Sequence, residues 1–580
     1  MKKLQKYLFL IVIPMFICCS SDNKSVVIPR GELKLDRGMV AVRENGGPVY
    51  IGWRLLESDP AGLAFDIYRL NGNERTKINE KPITSSTNFV DLQGGSRYAL
   101  TATSGGRQFE PPTEIEVWEQ NYRSIKLQGD YSANRVGIAD LDGDGVYDFI
   151  VKQPGGSLDP GTQRRSVDTY KYEAYNGKTG ELMWRYDLGW NMDMGIWWTP
   201  AIVFDFNGDG KAEVAFKGSV YAATEEESFL REDNLFILEG PEYCIVLDGE
   251  TGKEITRADW IPRGDPESWG DPRGNRVNRN QIGVAYLDGK TPSLLVCRGT
   301  YTKMFIDAYN LVGNQLVKVW GWCGDDETPQ VRGQGFHGMH AYDVDGDGFD
   351  EIIFGDAVLD HDGKILWNMN MGHPDICYLA DIDPDRPGLE LFYAFESRQQ
   401  TNGFCVVDPL TGHIIWGIDT PTIHLHDWGM IGNIDPTRRG MELYAREQNG
   451  SASFLCSAKG ELISDGSELG GGCTARAFYW KDGDVKVFYP FAYGARVNPI
   501  MEFRGEQIGE IPGTIVAIAD IYGDWREEVV SVLNGEIRIY TTTIPSTTRR
   551  PSLMQDPLYR MDVAQLLSGY IYVPQLSRPW

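Results

Sequence analysis

Histidine is almost missing from this chain, with seven residues in 580. Imidazoles this rare have to be accounted for one by one. Positive charge is short as well: 56 Lys and Arg stand against 82 Asp and Glu, a formal net charge of -26. That balance argues against a nucleic-acid partner, because polyanions are met by basic surfaces. There is a single long apolar run, Tyr7 to Ile17, and a bilayer takes about 20 residues to cross. Cysteine is limited to nine residues. Beyond Cys18 and Cys19 they are Cys244, Cys297, Cys323, Cys377, Cys405, Cys456 and Cys473, scattered through strand-like runs such as Ser293-Leu294-Leu295-Val296-Cys297. Such spacing points to buried thiols and excludes a disulfide framework, a zinc site and a cysteine nucleophile.

The apolar run is an address. Lys2, Lys3 and Lys6 precede it and Cys18-Cys19-Ser20-Ser21-Asp22-Asn23 follow, so residues 1–19 resemble a bacterial lipoprotein signal with Cys19 carrying the lipid. The chain is then expected to cross the inner membrane and stay in the periplasm or at the cell surface, meeting the membrane only through its anchor. An ordinary cleaved signal is the alternative.

Acidic loops are what the chain has in abundance. One runs Asp140-Leu141-Asp142-Gly143-Asp144-Gly145-Val146-Tyr147-Asp148. A second places Asp205, Asn207, Asp209 and Glu213 at the same positions, and a third Asp343, Asp345, Asp347 and Glu351. Val146, Lys211 and Phe349 stand at the seventh position of these three loops. Two variants run Asp381, Asp383, Asp385 with Glu390, and Asn433, Asp435 with Glu442. Oxygen ligands at alternate positions, with glycines for sharp turns, suit a hard cation such as calcium. Several Ca2+ ions are therefore expected, mainly holding loops in shape. Fainter copies at Ala285 to Gly289, Lys481 to Asp484 and Asp520 to Asp524 fill the gaps, giving about eight units of roughly 55 residues.

The flanks are not EF-hand helices. They read Asp148-Phe149-Ile150-Val151, Glu213-Val214-Ala215-Phe216 and Glu351-Ile352-Ile353-Phe354, which are short, β-favouring and bounded by turns. Repeated units of several short strands predict an all-β chain, a calcium-binding β-propeller of eight blades, or of seven, over residues 121–580. Asp248-Gly249-Glu250-Thr251-Gly252 and Asp408-Pro409-Leu410-Thr411-Gly412 are predicted hairpin turns at outer blade edges. Residues 27–120 lack the acidic loops and alternate in strand fashion, as in Ala64-Phe65-Asp66-Ile67-Tyr68-Arg69, which predicts a small β-sandwich.

Several runs carry a family resemblance. Leu35-Asp36-Arg37-Gly38-Met39-Val40-Ala41-Val42, Gly274-Asn275-Arg276-Val277-Asn278-Arg279, Arg298-Gly299-Thr300-Tyr301-Thr302, Asp383-Pro384-Asp385-Arg386-Pro387-Gly388-Leu389-Glu390 and Gly523-Asp524-Trp525-Arg526-Glu527-Glu528 resemble polysaccharide lyase family 11, the rhamnogalacturonan lyases, in order along nearly the whole mature chain. The resemblance implies cleavage of the bond between rhamnose and O4 of a uronic acid by β-elimination, with a plant cell-wall polysaccharide as partner and a monomeric enzyme. Elimination requires a neutralised carboxylate, a base for the C5 proton and a donor for the departing oxygen.

Five of the seven histidines stand in three clusters, His337 with His340, His373, and His424 with His426, each just upstream of an acidic loop. The repeat should bring them to one face. The resemblance implies that His337 and His373 help hold a calcium ion at the active centre. His337, His373 and His426 are the expected catalytic histidines, with Arg298 and Tyr301 for carboxylate binding and proton transfer. Lys303, His340 and His424 are expected to touch substrate, and Trp197 and Trp198, with Trp269 near Arg276 and Arg279, to form a sugar-stacking wall. His361 and His413 sit in predicted turns.

The chain also departs from the family. Lys152-Gln153-Pro154 stands where the family writes a rhamnose-gripping Trp-Asp-Pro, Arg135 replaces an Asp beside Asn134, and Trp197-Trp198-Thr199 replaces His-Tyr-Thr. Asn134 and Lys152 are therefore candidate sugar contacts. These changes favour an exo-acting lyase that removes rhamnose from glucuronic acid on arabinogalactan side chains over a rhamnogalacturonan backbone lyase. A surface glycan-binding protein without catalysis is the other class of reading.

Overall fold

The computed structural model describes residues 33–470, 474–492, 494–570 and 572–578. The leader with Cys18 and Cys19, and also Cys473, lie outside the described residues. Within them the chain is all-β apart from short 3-10 turns and one α-helix, Pro557–Ala564. No helix among them is long and apolar enough to cross a membrane.

Two small antiparallel sheets come first. One joins Val40–Arg43, Val49–Gly52 and Asn88–Asp91, and the other is built on Ala64–Asn71 paired with Arg97–Ser104. Alternating apolar positions from both, among them Ile51, Trp53, Phe65, Ile67, Tyr98 and Leu100, fill a shared core. This is a small β-domain at the N-terminal side.

Eight four-stranded antiparallel sheets follow. Their first strands are Arg135–Ala139, Ala201–Phe204, Asn280–Ala285, Gly335–Tyr342, Pro374–Ala380, Leu425–Gly432, Thr474–Phe478 and Thr514–Ala519. Those of the first seven sheets lie side by side in turn, and that of the eighth lies against that of the first. Most positions of the first two strands in each sheet are buried, so they read as continuous Val, Ile and Phe rather than as an alternating pattern. The eighth sheet takes its fourth strand, Tyr122–Lys126, from the beginning of the region, with Lys126 opposite Glu536 and Tyr122 opposite Tyr540.

A repeated latch joins neighbouring sheets. A tryptophan on the fourth strand donates its indole N–H to a hairpin-turn carbonyl of the next sheet: Trp184 to Gly249 O (2.7 Å), Trp320 to His361 O (3.0 Å), Trp367 to Pro409 O (2.8 Å) and Trp416 to Ala458 O (2.8 Å). Each ring lies flat under a turn glycine with positive φ. A Cβ at Gly412, for example, would stand 2.7 Å from Trp367.

The helix Pro557–Ala564 lies against the first strands of the first four sheets. Asp556 caps it by accepting from Tyr559 N at 3.1 Å. It is a plug for the apolar ends of those strands, and Leu558, Tyr559, Met561 and Val563 are all buried.

Candidate active site

The three histidine clusters fall at the start of three consecutive first strands, and each of these strands breaks register there. Pairing shifts between Gly335 and His340, between Pro374 and Ile376, and between His426 and Met430. Bulges re-aim side chains, and here they turn His337, His373 and His426 toward one carboxylate, Asp375. Its Oδ1 lies 3.4 Å from His337 Nε2 and 3.7 Å from His373 Nε2, and its Oδ2 lies 2.9 Å from His426 Nδ1. Glu396, just after the strand Glu390–Phe395, adds a second carboxylate 3.0 Å from His373 Nε2 and 3.6 Å from His424 Nε2. His424 Nε2 is 3.2 Å from His426 Nδ1.

Burial decides the charges. Desolvation and the neighbouring His373 hold His337 well below the ordinary histidine range, so it is a neutral imidazole. Burial also opposes charge on His373, but Asp375 and Glu396 outweigh it and raise His373 to about 9. Asp375 is correspondingly held far below the ordinary carboxylate range against its own desolvation, first by the nearby imidazoles of His373 and His426.

Tyr301, from the loop after the strand Ser293–Arg298, meets this group with its phenol 3.0 Å from His337 Nε2. Arg276 and Arg279 lie over its ring at 4.4 and 5.2 Å. Arg279 is held in a bidentate pair by Asp159 at 2.8 and 2.9 Å, and Trp197 Nε1 donates to the same carboxylate at 3.0 Å. Trp197 and Tyr570 both pack on the His337 ring, at 4.5 and 4.7 Å between centroids. Asp159, Asp375, Glu396 and Tyr570 were not expected from the sequence. Only Asp375 left a signal, since it stands two residues from His373 in the sequence.

Other expected contacts are elsewhere. Arg298 is fully buried, and its guanidinium donates to Ile261 O (2.9 Å), Val277 O (2.7 Å) and Glu242, so it holds loops together rather than a substrate carboxylate. Trp198 packs against Phe236 at 5.0 Å, and Trp269, also buried, donates to Arg263 O at 2.8 Å; both are core. Lys152 is sealed between strands, its ammonium donating to Thr199 O at 2.6 Å beside Tyr170. His340 is a strut, bonded to Asp562 of the C-terminal helix (2.9 Å) and to Cys377 O (3.1 Å). Lys303 donates to Ser268 Oγ at 3.1 Å, above Trp269. Asn134 donates to Gly155 O at 3.3 Å, beside Arg135, whose guanidinium donates to Gly569 O next to Tyr570. His361 does sit in a turn, half-buried, with its ring tilted against Phe349 at 4.5 Å between centroids.

Two kinds of place could hold a cation. In the cluster, one donor atom each from His337, His373, Asp375 and Glu396 lie within 4.8 Å of one another. His373 Nε2 is near Glu396 yet off the hydrogen-bond line, and buried His337 Nδ1 has no hydrogen-bond partner among the described residues. Imidazole with carboxylate suits a divalent ion. In the acidic loops, Asp140, Asp142 and Asp148 gather within the same limit, as do Asp343, Asp345 and Asp347. Asp140, Asp205 and Asp343 accept from glycine N–H groups three and five residues on, the same turn three times. Glu351 Oε1, Asp381 Oδ1, Asn433 Oδ1 and Glu442 Oε1 are buried without hydrogen-bond partners, so the residues fit a hard cation. Some loop carboxylates are already paired with cationic side chains, Asp385 with Arg439 (3.0 Å) and Lys459 (2.6 Å) and Asp144 with Lys178 (3.3 Å).

The chain matches two family models, the rhamnogalacturonan lyase family 11 C-terminal domain over residues 119–578 and the rhamnogalacturonan I lyase β-sheet domain over residues 32–118. It belongs to polysaccharide lyase family 11 and is a polysaccharide lyase. Among its relatives, the rhamnogalacturonan endolyase YesW of Bacillus subtilis is 36% identical, covering 94% of this chain and 90% of that protein. The rhamnogalacturonan exolyase YesX of the same organism is 34% identical over 94% of each. The crystal structure of YesX superposes with a TM-score of 0.86, at 33% identity over 95% of this chain and 96% of that one. That of a Bacillus licheniformis family 11 rhamnogalacturonan lyase does so with 0.83, at 35% identity over 95% and 97%.

Proposed function

We propose that the chain cleaves α-L-rhamnosyl-(1→4)-uronic acid bonds of a pectic polysaccharide by β-elimination. The observation that carries this is the convergence of Tyr301, His337, His373, His426, Asp375 and Glu396 beside two arginines. Arg276 and Arg279 supply positive charge for the uronate carboxylate. Asp375 takes the Nδ1 side of His426, which makes Nε2 the basic nitrogen for the C5 proton. Tyr301, kept protonated chiefly by burial, is the donor to the departing O4, with neutral His337 orienting its hydroxyl. A divalent cation held by His337, His373, Asp375 and Glu396 would add charge against the same carboxylate.

An end-acting mode on rhamnose-capped glucuronate is the finer reading. It is favoured by the segment carrying Asp159, which Arg165 ties to Arg231 O (3.2 Å), Glu232 O (2.7 Å) and Asn234 O (2.8 Å), walling one side of the site. The eight sheets are read as the blades of a closed propeller with calcium in its acidic loops, and the N-terminus as a lipid-bearing tether at the bacterial surface or in the periplasm.

The test is absorbance of the 4,5-unsaturated uronic product from rhamnogalacturonan and, separately, from rhamnose-capped arabinogalactan. Absorbance is expected to rise, with free rhamnose marking the end-acting mode and oligomers marking backbone cutting. His426→Ala and Tyr301→Phe should each lower kcat by about 100-fold or more, as loss of a proton-transfer group does. Wild-type protein that releases no unsaturated product from either glycan overturns the reading.

A further inference from the structure

The partner of Arg279 is out of keeping with the rest of the site. Arg279 is 6% exposed, whereas Asp159, whose carboxylate fills both arms of its fork, is 43% exposed. The pair bridges distant parts of the chain. Asp159 comes from the segment between two strands of the first sheet, Arg279 directly precedes the first strand of the third, and Trp197 of the second lies beneath them. The arginine is also the better fixed of the two, because Asn275 Oδ1 accepts from its Nε and Nη2 at 3.1 and 2.8 Å and its guanidinium lies over the rings of Trp197 and Tyr301. Asp159 is held on its own side by accepting from Gly161 N at 2.7 Å.

The geometry points to Asp159 as an internal stand-in for the substrate. Its carboxylate occupies the fork of Arg279 in the resting protein, and a uronate carboxylate displaces it on binding, with the indole N–H of Trp197 as third donor. The identity of that carboxylate rests on the lyase reading above. The exchange replaces one bidentate carboxylate by another, so the buried arginine is never left unpaired. It is also selective: a neutral sugar offers nothing that can evict Asp159, and the subsite stays shut to it. Asp159 thereby weakens the apparent affinity for uronate by the fraction of time it holds the fork, as any competing closed state does.

Direct titration of the full chain with free glucuronate and galacturonate, and with glucose as the neutral control, tests this without any turnover. Asp159→Asn keeps the shape and can still accept hydrogen bonds but gives up the competing charge. It should bind both uronates about tenfold or more tightly, with glucose unchanged, if the closed state dominates at rest. Arg279→Lys in the same background, which keeps the charge and loses the fork, should remove that gain. KM of Asp159→Asn on the cleaved glycan should fall. Unchanged or weaker uronate binding by Asp159→Asn would make Asp159 a structural clamp and overturn the exchange. Tighter uronate binding combined with silence on every glycan would instead keep the subsite and remove the lyase chemistry.

Discussion

At the scale of single residues, the same side-chain chemistry serves two ends. Arg279 lies over the ring of Tyr301, while Arg298, only three residues before that tyrosine, is fully buried with Lys217 and Arg263 around Glu242. Three cations share one carboxylate there, and they hold Glu242 well below the ordinary carboxylate range despite its burial. Glu242→Ala would strand three buried positive charges. It should cost about 3–5 kcal/mol of unfolding free energy, measured by denaturant titration, while the product spectrum remains that of an elimination. A loss below about 1 kcal/mol would mean that water screens the cluster. Whether an arginine in a loop is strut or ligand depends on which carbonyls surround it, and Ile261 and Val277, which take Arg298, lie far from it in sequence. That is why Arg298, Trp198, Trp269, Lys152 and His340 read as site residues, whereas the fold buries all five among protein partners. The histidines were legible because their rarity left few places to look.

At the scale of elements, the acidic loop shows three solutions to one problem. In the first two loops the closing carboxylate finds protein donors, Gly177 N for Asp148 and Asn207 for Glu213. In the third, fourth and fifth an oxygen of the closing glutamate has no hydrogen-bond partner among the described residues. In the faint eighth copy Arg526 lies on Asp524 at 2.8 and 2.9 Å, a positive charge built into the loop itself. The turn, its glycines and its spacing were therefore readable from sequence, but the pairing of a guanidinium with the loop carboxylate was not, because the seventh position, where Arg526 stands, takes unlike side chains in the other copies, Val146, Lys211 and Phe349. Burial and neighbouring charges raise Glu351 to about 8 from an ordinary value of 4.5, and Glu442 to about 7. The folded chain without cation therefore favours the protonated acids. Their contribution is fully present at low pH and is lost as pH climbs from about 4.5 through 8, because the unfolded chain releases those protons first. A divalent cation bound at these loops would supply the missing charge and cancel this loss. A chelator should thus lower Tm more at pH 8 than at pH 5; an equal drop at both would separate these glutamates from the cation.

At the scale of the whole molecule, the order of eight sheets follows from a repeat visible in the loops, whereas the helix Pro557–Ala564 follows from nothing periodic. It is one short segment that packs where four first strands meet, and its role exists only once they are assembled. Removal of residues 553–580 should expose Val136, Ile138, Val203 and Met339 and turn a single cooperative thermal transition into a broad one with dye binding to exposed apolar surface. A sharp transition near the original Tm would show the sheets to be self-sufficient.

The borrowed strand Tyr122–Lys126 has a consequence for how such a chain comes into being. Its partner, Glu536–Tyr540, is made about 410 residues later, so until then an unpaired edge waits on the growing polypeptide. Pairing across so long a loop is slow, and the edge offers itself to any other strand in the meantime. The strand that completes the eighth sheet is, until its partner arrives, an open invitation to misassembly.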